Sequence, residues 1–126
     1  MTTVKDYIDA ANLLKVNAYD TDTKIQWFNN CEQQIFLNII KQHEQTDESA
    51  EMPLYTSTNY NTATPLVPAP FAYDLYIGYL FMMIDGSNQE WGQYNVSLQR
   101  FNEARQEFAA WYTRTNMPKN KGDIRI

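Results

Sequence analysis

The chain holds one cysteine and one histidine in 126 residues, and those scarcities remove whole classes of chemistry. A lone Cys31 cannot form an intrachain disulfide, and no cysteine cluster exists to hold zinc. It falls among apolar helix-face positions and reads as a buried, inert thiol. Every Ser-His-Asp arrangement would have to use His43. That residue sits near the end of a helical stretch beside Glu44, with no partner at ligand spacing, where the helix dipole suits a cation. Four scattered glycines cannot make a phosphate-cradling loop. No apolar run approaches the roughly 20 residues of a membrane helix, and the opening MTTVKDY lacks the basic and apolar regions of a signal peptide. Cations are scarce as well. Ten Lys and Arg face fifteen Asp and Glu, a net charge of −5, which is the wrong sign for a protein that grips a phosphate backbone. The acidic groups Asp20/Asp22 and Asp47/Glu48/Glu51 match no calcium-loop spacing and read as solvated faces or helix caps. These absences predict a non-catalytic protein with no metal and no cofactor, kept in the cytoplasm or in an assembly built there.

What is present is apolar, aromatic and helical in period. Hydrophobic residues make up 44% and aromatics 14%, with nine tyrosines behind the excess. Tyrosine has a large apolar body and a polar tip, so it suits both cores and interfaces that stay partly wet. A first helix is predicted from Val4, Tyr7, Ile8 and Ala11 on one face, with Thr3 and Asp6 as a capping-box pair and Leu14 as an extension. After a polar break at 17–22, Asp22 or Thr23 caps a second helix of about five turns. Its apolar stripe is Ile25, Phe28, Ile35 and Ile39, and Asn29, Asn30, Gln33 and Gln34 occupy the other side. The third helix, in FAYDLYIGYLFMMID, carries Leu75, Tyr76, Tyr79, Leu80, Met83 and Ile84. Its Gly78 permits close approach of another helix. A turn follows at 85–88, with Gly86 as the left-handed cap and Ser87/Glu90 as a second capping box. The fourth helix spans about 88–114, with Tyr94, Leu98, Phe101, Phe108 and Tyr112 at spacings of three, four or seven. Arg100 lies three residues before Glu103 and offsets the like-charge pair Glu103/Glu107. Together these residues predict a helical hairpin with Leu75, Tyr79, Leu80, Ile84, Tyr94, Leu98, Phe101, Phe108 and Tyr112 at its core.

Two segments break the helical period. Residues 46–70 carry Pro53, Pro65, Pro68 and Pro70, a density that excludes a helix. Leu54, Tyr55, Leu66 and Val67 suggest a weak hairpin there. A loop this long works at a surface, so Tyr55, Tyr60, Leu66 and Val67 are expected to meet a neighbouring subunit or a channel. Met117-Pro118 then ends the last helix. The tail 117–126 is basic on an acidic protein, with Lys119, Lys121 and Arg125 against Asp123. Ile124 and Ile126 flank Arg125 at a strand-like period of two. It is either a disordered end or a strand that completes itself on a partner. The expected organisation is an all-α bundle of about four helices over 1–116 with a long central loop, plus an extended docking tail at 117–126.

The second half carries a longer pattern: Tyr76-x-x-Tyr79-Leu80, then Ile84-Asp85-x-x-Asn88-x-Glu90, then Tyr94-Asn95-x-Ser97 and Phe101-Asn102. It closes on Trp111-Tyr112-x-Arg114-Thr115-x-Met117-Pro118. This order and spacing, over about a third of the chain, resembles the head–tail connector (adaptor or head-completion) proteins of tailed phages. The resemblance implies a virion protein of the neck, assembled in the host cytoplasm, whose copies form a homo-oligomeric ring, commonly twelve, below the portal protein. It implies that the C-terminal segment (Met117, Lys119, Lys121, Ile124, Arg125 and Ile126 here) reaches the portal. It also implies a tail-side neck partner (a stopper or tail terminator) and a channel passing double-stranded DNA without sequence recognition. Residues 1–70 match that family only in general layout, and the aromatic loop departs from it. A non-catalytic cytoplasmic regulatory or protein-binding helical module is the alternative reading.

Overall fold

The computed structural model describes residues 2–15, 17–40, 54–68 and 70–115. Helices α1 (Val4–Leu14), α2 (Thr21–Ile35), α3 (Ala72–Ser87) and α4 (Trp91–Thr115) build the body, and α2 runs on into one π-helical turn, Phe36–Ile40. There is no strand among the described residues, so the class is all-α.

Local chemistry sets the first two starts. The Asp6 N–H donates to Thr3 Oγ1 at 3.3 Å and the Thr3 N–H donates to Asp6 Oδ2 at 2.9 Å, a reciprocal capping box. In α2 the cap is Asp20, not Asp22 or Thr23. Its backbone is extended and its Oδ1 accepts from the Thr23 N–H at 2.8 Å, so Asp22 and Thr23 already lie in the first turn. The π turn adds one residue to the helical repeat. It lets Phe36, Ile39 and Ile40 stay buried while Leu37 and Asn38 face out.

The expected hairpin at Leu54/Tyr55 and Leu66/Val67 is not formed. Instead the segment is a compact turn around Asn59, whose side chain accepts from the Thr56 N–H at 2.8 Å and whose carbonyl accepts from the Ala63 N–H at 3.0 Å. Asn side chains close such turns more cheaply than an isolated two-stranded pair can form. Its carbonyls then serve α1. The Val4 N–H donates to the Ala63 carbonyl and the Lys5 N–H to the Tyr60 carbonyl, both at 3.0 Å, which satisfies donors that a helix start leaves orphaned.

Helices α3 and α4 form a hairpin with close backbones. A Cβ added at Gly78 would come within 3.1 Å of the Phe101 backbone nitrogen, the close approach its position suggested. Gly86 does not take the left-handed cap. Gln89 does, at φ 60, while Asn88 is the C-cap. Ser87 belongs to the last turn of α3 and α4 starts at Trp91. The reversal therefore falls three residues beyond Gly86. Arg100 also turns away from Glu103. It donates to Asp74 Oδ1 at 3.2 and 2.9 Å across the hairpin, and Glu103 accepts from Gln99 at 3.1 Å.

Candidate functional site

Three sets of residues could carry function: the polar clasp under the loop, the buried ion pair beside the α3–α4 turn, and the apolar and amide groups left on the surface. The clasp centres on Glu32, whose side chain is fully buried. It occupies the apolar stripe of α2, four residues after Phe28 and three before Ile35. Its carboxylate accepts from Tyr55 Oη at 2.6 Å, from the Leu66 N–H at 2.9 Å, and from Tyr76 Oη on α3. Next to it, Asn29 donates to the Tyr55 carbonyl at 2.9 Å and accepts from the Tyr55 N–H at 2.8 Å. Burial raises the Glu32 carboxyl above its ordinary range, against the lowering effect of its donors. Burial and the Glu32 charge in turn push the Tyr55 and Tyr76 hydroxyls up. Phe28 stacks on Tyr76 at 4.5 Å and meets Tyr55 edge-on at 5.7 Å, which seals the clasp from water.

The second set joins α1 to the turn. Lys15 Nζ donates to the buried Asp85 carboxylate at 2.6 Å and Ser97 Oγ donates to it at 3.1 Å. Tyr19 Oη donates to Asn88 Oδ1 at 2.6 Å. Lys15 also lies over the Phe81 ring at 4.8 Å. Nearby, Lys24 is buried and donates to Asn12 Oδ1 at 2.6 Å. Of the sequence pattern singled out above, Tyr76, Tyr79, Asp85, Asn88, Ser97 and Phe101 thus act as framework of the hairpin and its junctions.

The predicted loop contacts need correcting. Tyr55 and Val67 are buried in the chain's own core, because Glu32, Asn29 and the Tyr76 hydroxyl draw that segment inward. They cannot face a channel or a neighbour. Tyr60 and Leu66 are partly buried and pack on the same core. Of the hairpin set, Leu75, Tyr79, Leu80, Ile84, Phe101 and Phe108 are buried, while Tyr94, Leu98 and Tyr112 lie partly buried against them. The tail residues Met117, Lys119, Lys121, Ile124, Arg125 and Ile126, and His43, lie outside the described residues.

The surface offers the third set. Leu13 is 83% exposed, Val96 65%, Trp91 58% and Leu37 50%. A shallow groove of about 340 Å³ lies between α2, its π turn and α3, lined by Asn30, Gln33, Gln34, Leu37, Asn38 and Tyr79. A second, of about 290 Å³, lies at the α3–α4 turn among Met82, Met83, Gly86, Ser87, Trp91 and Tyr94. Among the described residues no three His, Cys, Asp or Glu stand close enough to hold a metal ion, and no helix there is long and apolar enough to cross a membrane. Cys31 is buried, and burial raises its thiol well above the usual range, which disfavours the thiolate that reactivity needs.

Sequence reasoning missed Glu32, Asn29, Asp85 and Lys24 as buried polar anchors. The signal for Glu32 was legible: a charged residue in phase with an apolar stripe must find partners or face a large desolvation cost. Asp85 had no such cue, since its partners come from α1 and α4, 70 and 12 residues away in sequence.

Fold and site define a small all-α protein with a polar-clasped loop and uncovered apolar side chains. Compared with protein families, curated proteins and solved structures, the chain finds no match.

Proposed function

We propose that this chain is a structural subunit of a tailed-phage neck, one copy of a head–tail connector ring that sits below the portal and continues the DNA channel. The observation that carries the reading is the exposure of large apolar side chains on several elements: Leu13 on α1, Leu54 in the loop, Trp91 and Val96 on α4. A closed ring uses two different patches on each copy, one for each neighbour. Exposed apolar groups on several elements are what such a subunit would bring to assembly. The resemblance of residues 76–118 to connector proteins, read from their order and spacing, supports the same reading, as does a net acidic charge that would let DNA slide past rather than grip it.

In this scheme the basic tail docks on the portal, and residues 117–126 supply two more cations than anions for it. Electron microscopy of particles carrying the tagged protein tests the function directly: density for a ring is expected at the neck. Label found elsewhere in the particle, or none at all, sinks it. Deleting residues 117–126 is expected to leave a folded domain whose melting temperature stays within about 2 °C, while attachment to DNA-filled heads is lost. Normal tail joining by the truncated chain would defeat the portal-docking role.

A further inference from the structure

We propose that the loop 54–68 is a strap that lifts as a local unit, with the Glu32 carboxyl as its latch. Protonation of Glu32 holds the strap shut, and ionisation loosens it. The device works whether or not the chain sits in a neck ring.

The geometry concentrates the hold on one group. Tyr55 Oη and the Leu66 N–H bond the carboxylate directly, at 2.6 and 2.9 Å. The Val67 N–H reaches it through Tyr76, whose hydroxyl accepts from Val67 at 3.0 Å and donates to Glu32. Residues from both ends of the loop are thus tied to a single side chain of α2. Other polar ties, the Asn29–Tyr55 pair and the Tyr60 and Ala63 carbonyls that accept from α1, use amide and peptide groups. Those groups do not titrate.

The middle of the strap is thinly packed. Thr56, Ser57, Thr58, Asn59, Asn61 and Thr62 are exposed, while the buried residues Tyr55, Pro65 and Val67 lie toward its ends. Segments with few buried contacts open at a lower free energy than the whole fold. A cleft of about 280 Å³, lined by Thr2, Tyr7 and residues 64–68, lies against the limb whose N–H groups make the ties. Exposed Thr2, Thr64 and Pro68 open it to solvent. A lifted strap therefore lets water reach the carboxylate, which gains most from water when charged.

The groups around Glu32 leave it as the one that responds. Its titratable neighbours are Tyr7 on α1, Cys31 on α2, Tyr55 in the loop and Tyr76 on α3. Burial raises all four, so they stay neutral beyond about pH 8. Among the described residues no cation pairs with Glu32, and from α4 the Arg105 charge acts on the Cys31 thiol. Burial also raises Glu32 itself, against its donors. The shut form thus binds the proton more tightly than a lifted, hydrated one. Acid closes the strap, and rising pH loosens it.

Residue-resolved hydrogen exchange of the full chain by NMR, from about pH 5 to about pH 7.5, tests this. Asp6 and Asp20, held below the ordinary range by their cap hydrogen bonds, stay ionised throughout that window. After correction for intrinsic rates, the amides of Tyr55, Leu66 and Val67 should be at least about tenfold less protected than those of Leu80 and Ala104 inside the helical hairpin. Their opening should rise at least about threefold across the window in wild type and stay flat in Glu32→Gln. Loop amides as protected as the hairpin ones would show that the loop opens only with the whole fold, which overturns the proposal. So does wild-type loop opening that ignores pH, a result read without any variant. A pH rise that Glu32→Gln retains would assign the latch to another group and overturns it as well.

Discussion

Replacing Glu32 with alanine is expected to destabilise the protein by about 3–5 kcal/mol, as breaking a buried polar cluster by removing its central partner does. Three donors, the Tyr55 and Tyr76 hydroxyls and the Leu66 N–H, would lose their acceptor in a water-free site. The loop 54–68 would keep only the Asn29–Tyr55 pair as a polar tie to α2, which weakens its hold on the carbonyls that cap the first turn of α1. Glu32→Gln should cost far less, because the amide carbonyl still accepts. Urea unfolding followed by far-ultraviolet circular dichroism measures both. An alanine variant within about 1 kcal/mol of wild type would show that the clasp contributes little.

The same residue makes stability depend on pH in a defined direction. Burial raises the folded-state pKa of Glu32 above its ordinary value of 4.5. A raised carboxyl binds its proton more tightly when folded, so its contribution is full below the unfolded value and is lost as pH rises through the folded one. Wild type should therefore lose stability relative to Glu32→Gln as pH increases from about 4 toward neutrality. A difference between the two that stays flat across that window would contradict the raised pKa. A difference that moves in favour of wild type would reverse its sign.

Filling the gap at Gly78 is the second large expected effect. A Cβ there meets backbone atoms of Phe101 at 3.1 and 3.3 Å, so no side chain can swing aside to make room. Gly78→Ala is expected to destabilise by about 1–3 kcal/mol through overpacking, and Gly78→Val by more. Helix propensity alone would push the other way, since alanine favours a helix over glycine by about 1 kcal/mol. Gly92 is the control, because nothing lies within 4 Å of a Cβ at that position. Gly92→Ala should stabilise slightly. Thermal melts of the two alanine variants in opposite directions are the expected result, and a stabilised Gly78→Ala would remove the close-packing argument for the hairpin.

Much of the fold was legible because it follows from local chemistry. The Thr3/Asp6 box, the apolar faces of all four helices and the role of Gly78 depend on spacings of three and four residues, which a sequence displays directly. The misreadings share one cause. The Asp20 cap is a choice among neighbours of similar propensity, whereas the left-handed Gln89 runs against local preference and the Arg100–Asp74 pair joins residues 26 apart, so packing decided all three. The loop went furthest astray. Prolines, threonines and asparagines describe a surface segment, and nothing within 46–70 reveals that Glu32 and Tyr76 pull Tyr55 and Val67 inside.

By itself, then, the sequence determined the helical class, the approximate helix limits and the exclusion of cysteine- or glycine-based chemistry, since each rests on residue type and near-neighbour periodicity. Only the tertiary structure decided which polar residues are buried and where the loop lies. Those properties depend on partners far along the chain. Glu32 counts as a surface charge until Tyr55, Leu66 and Tyr76 enclose it.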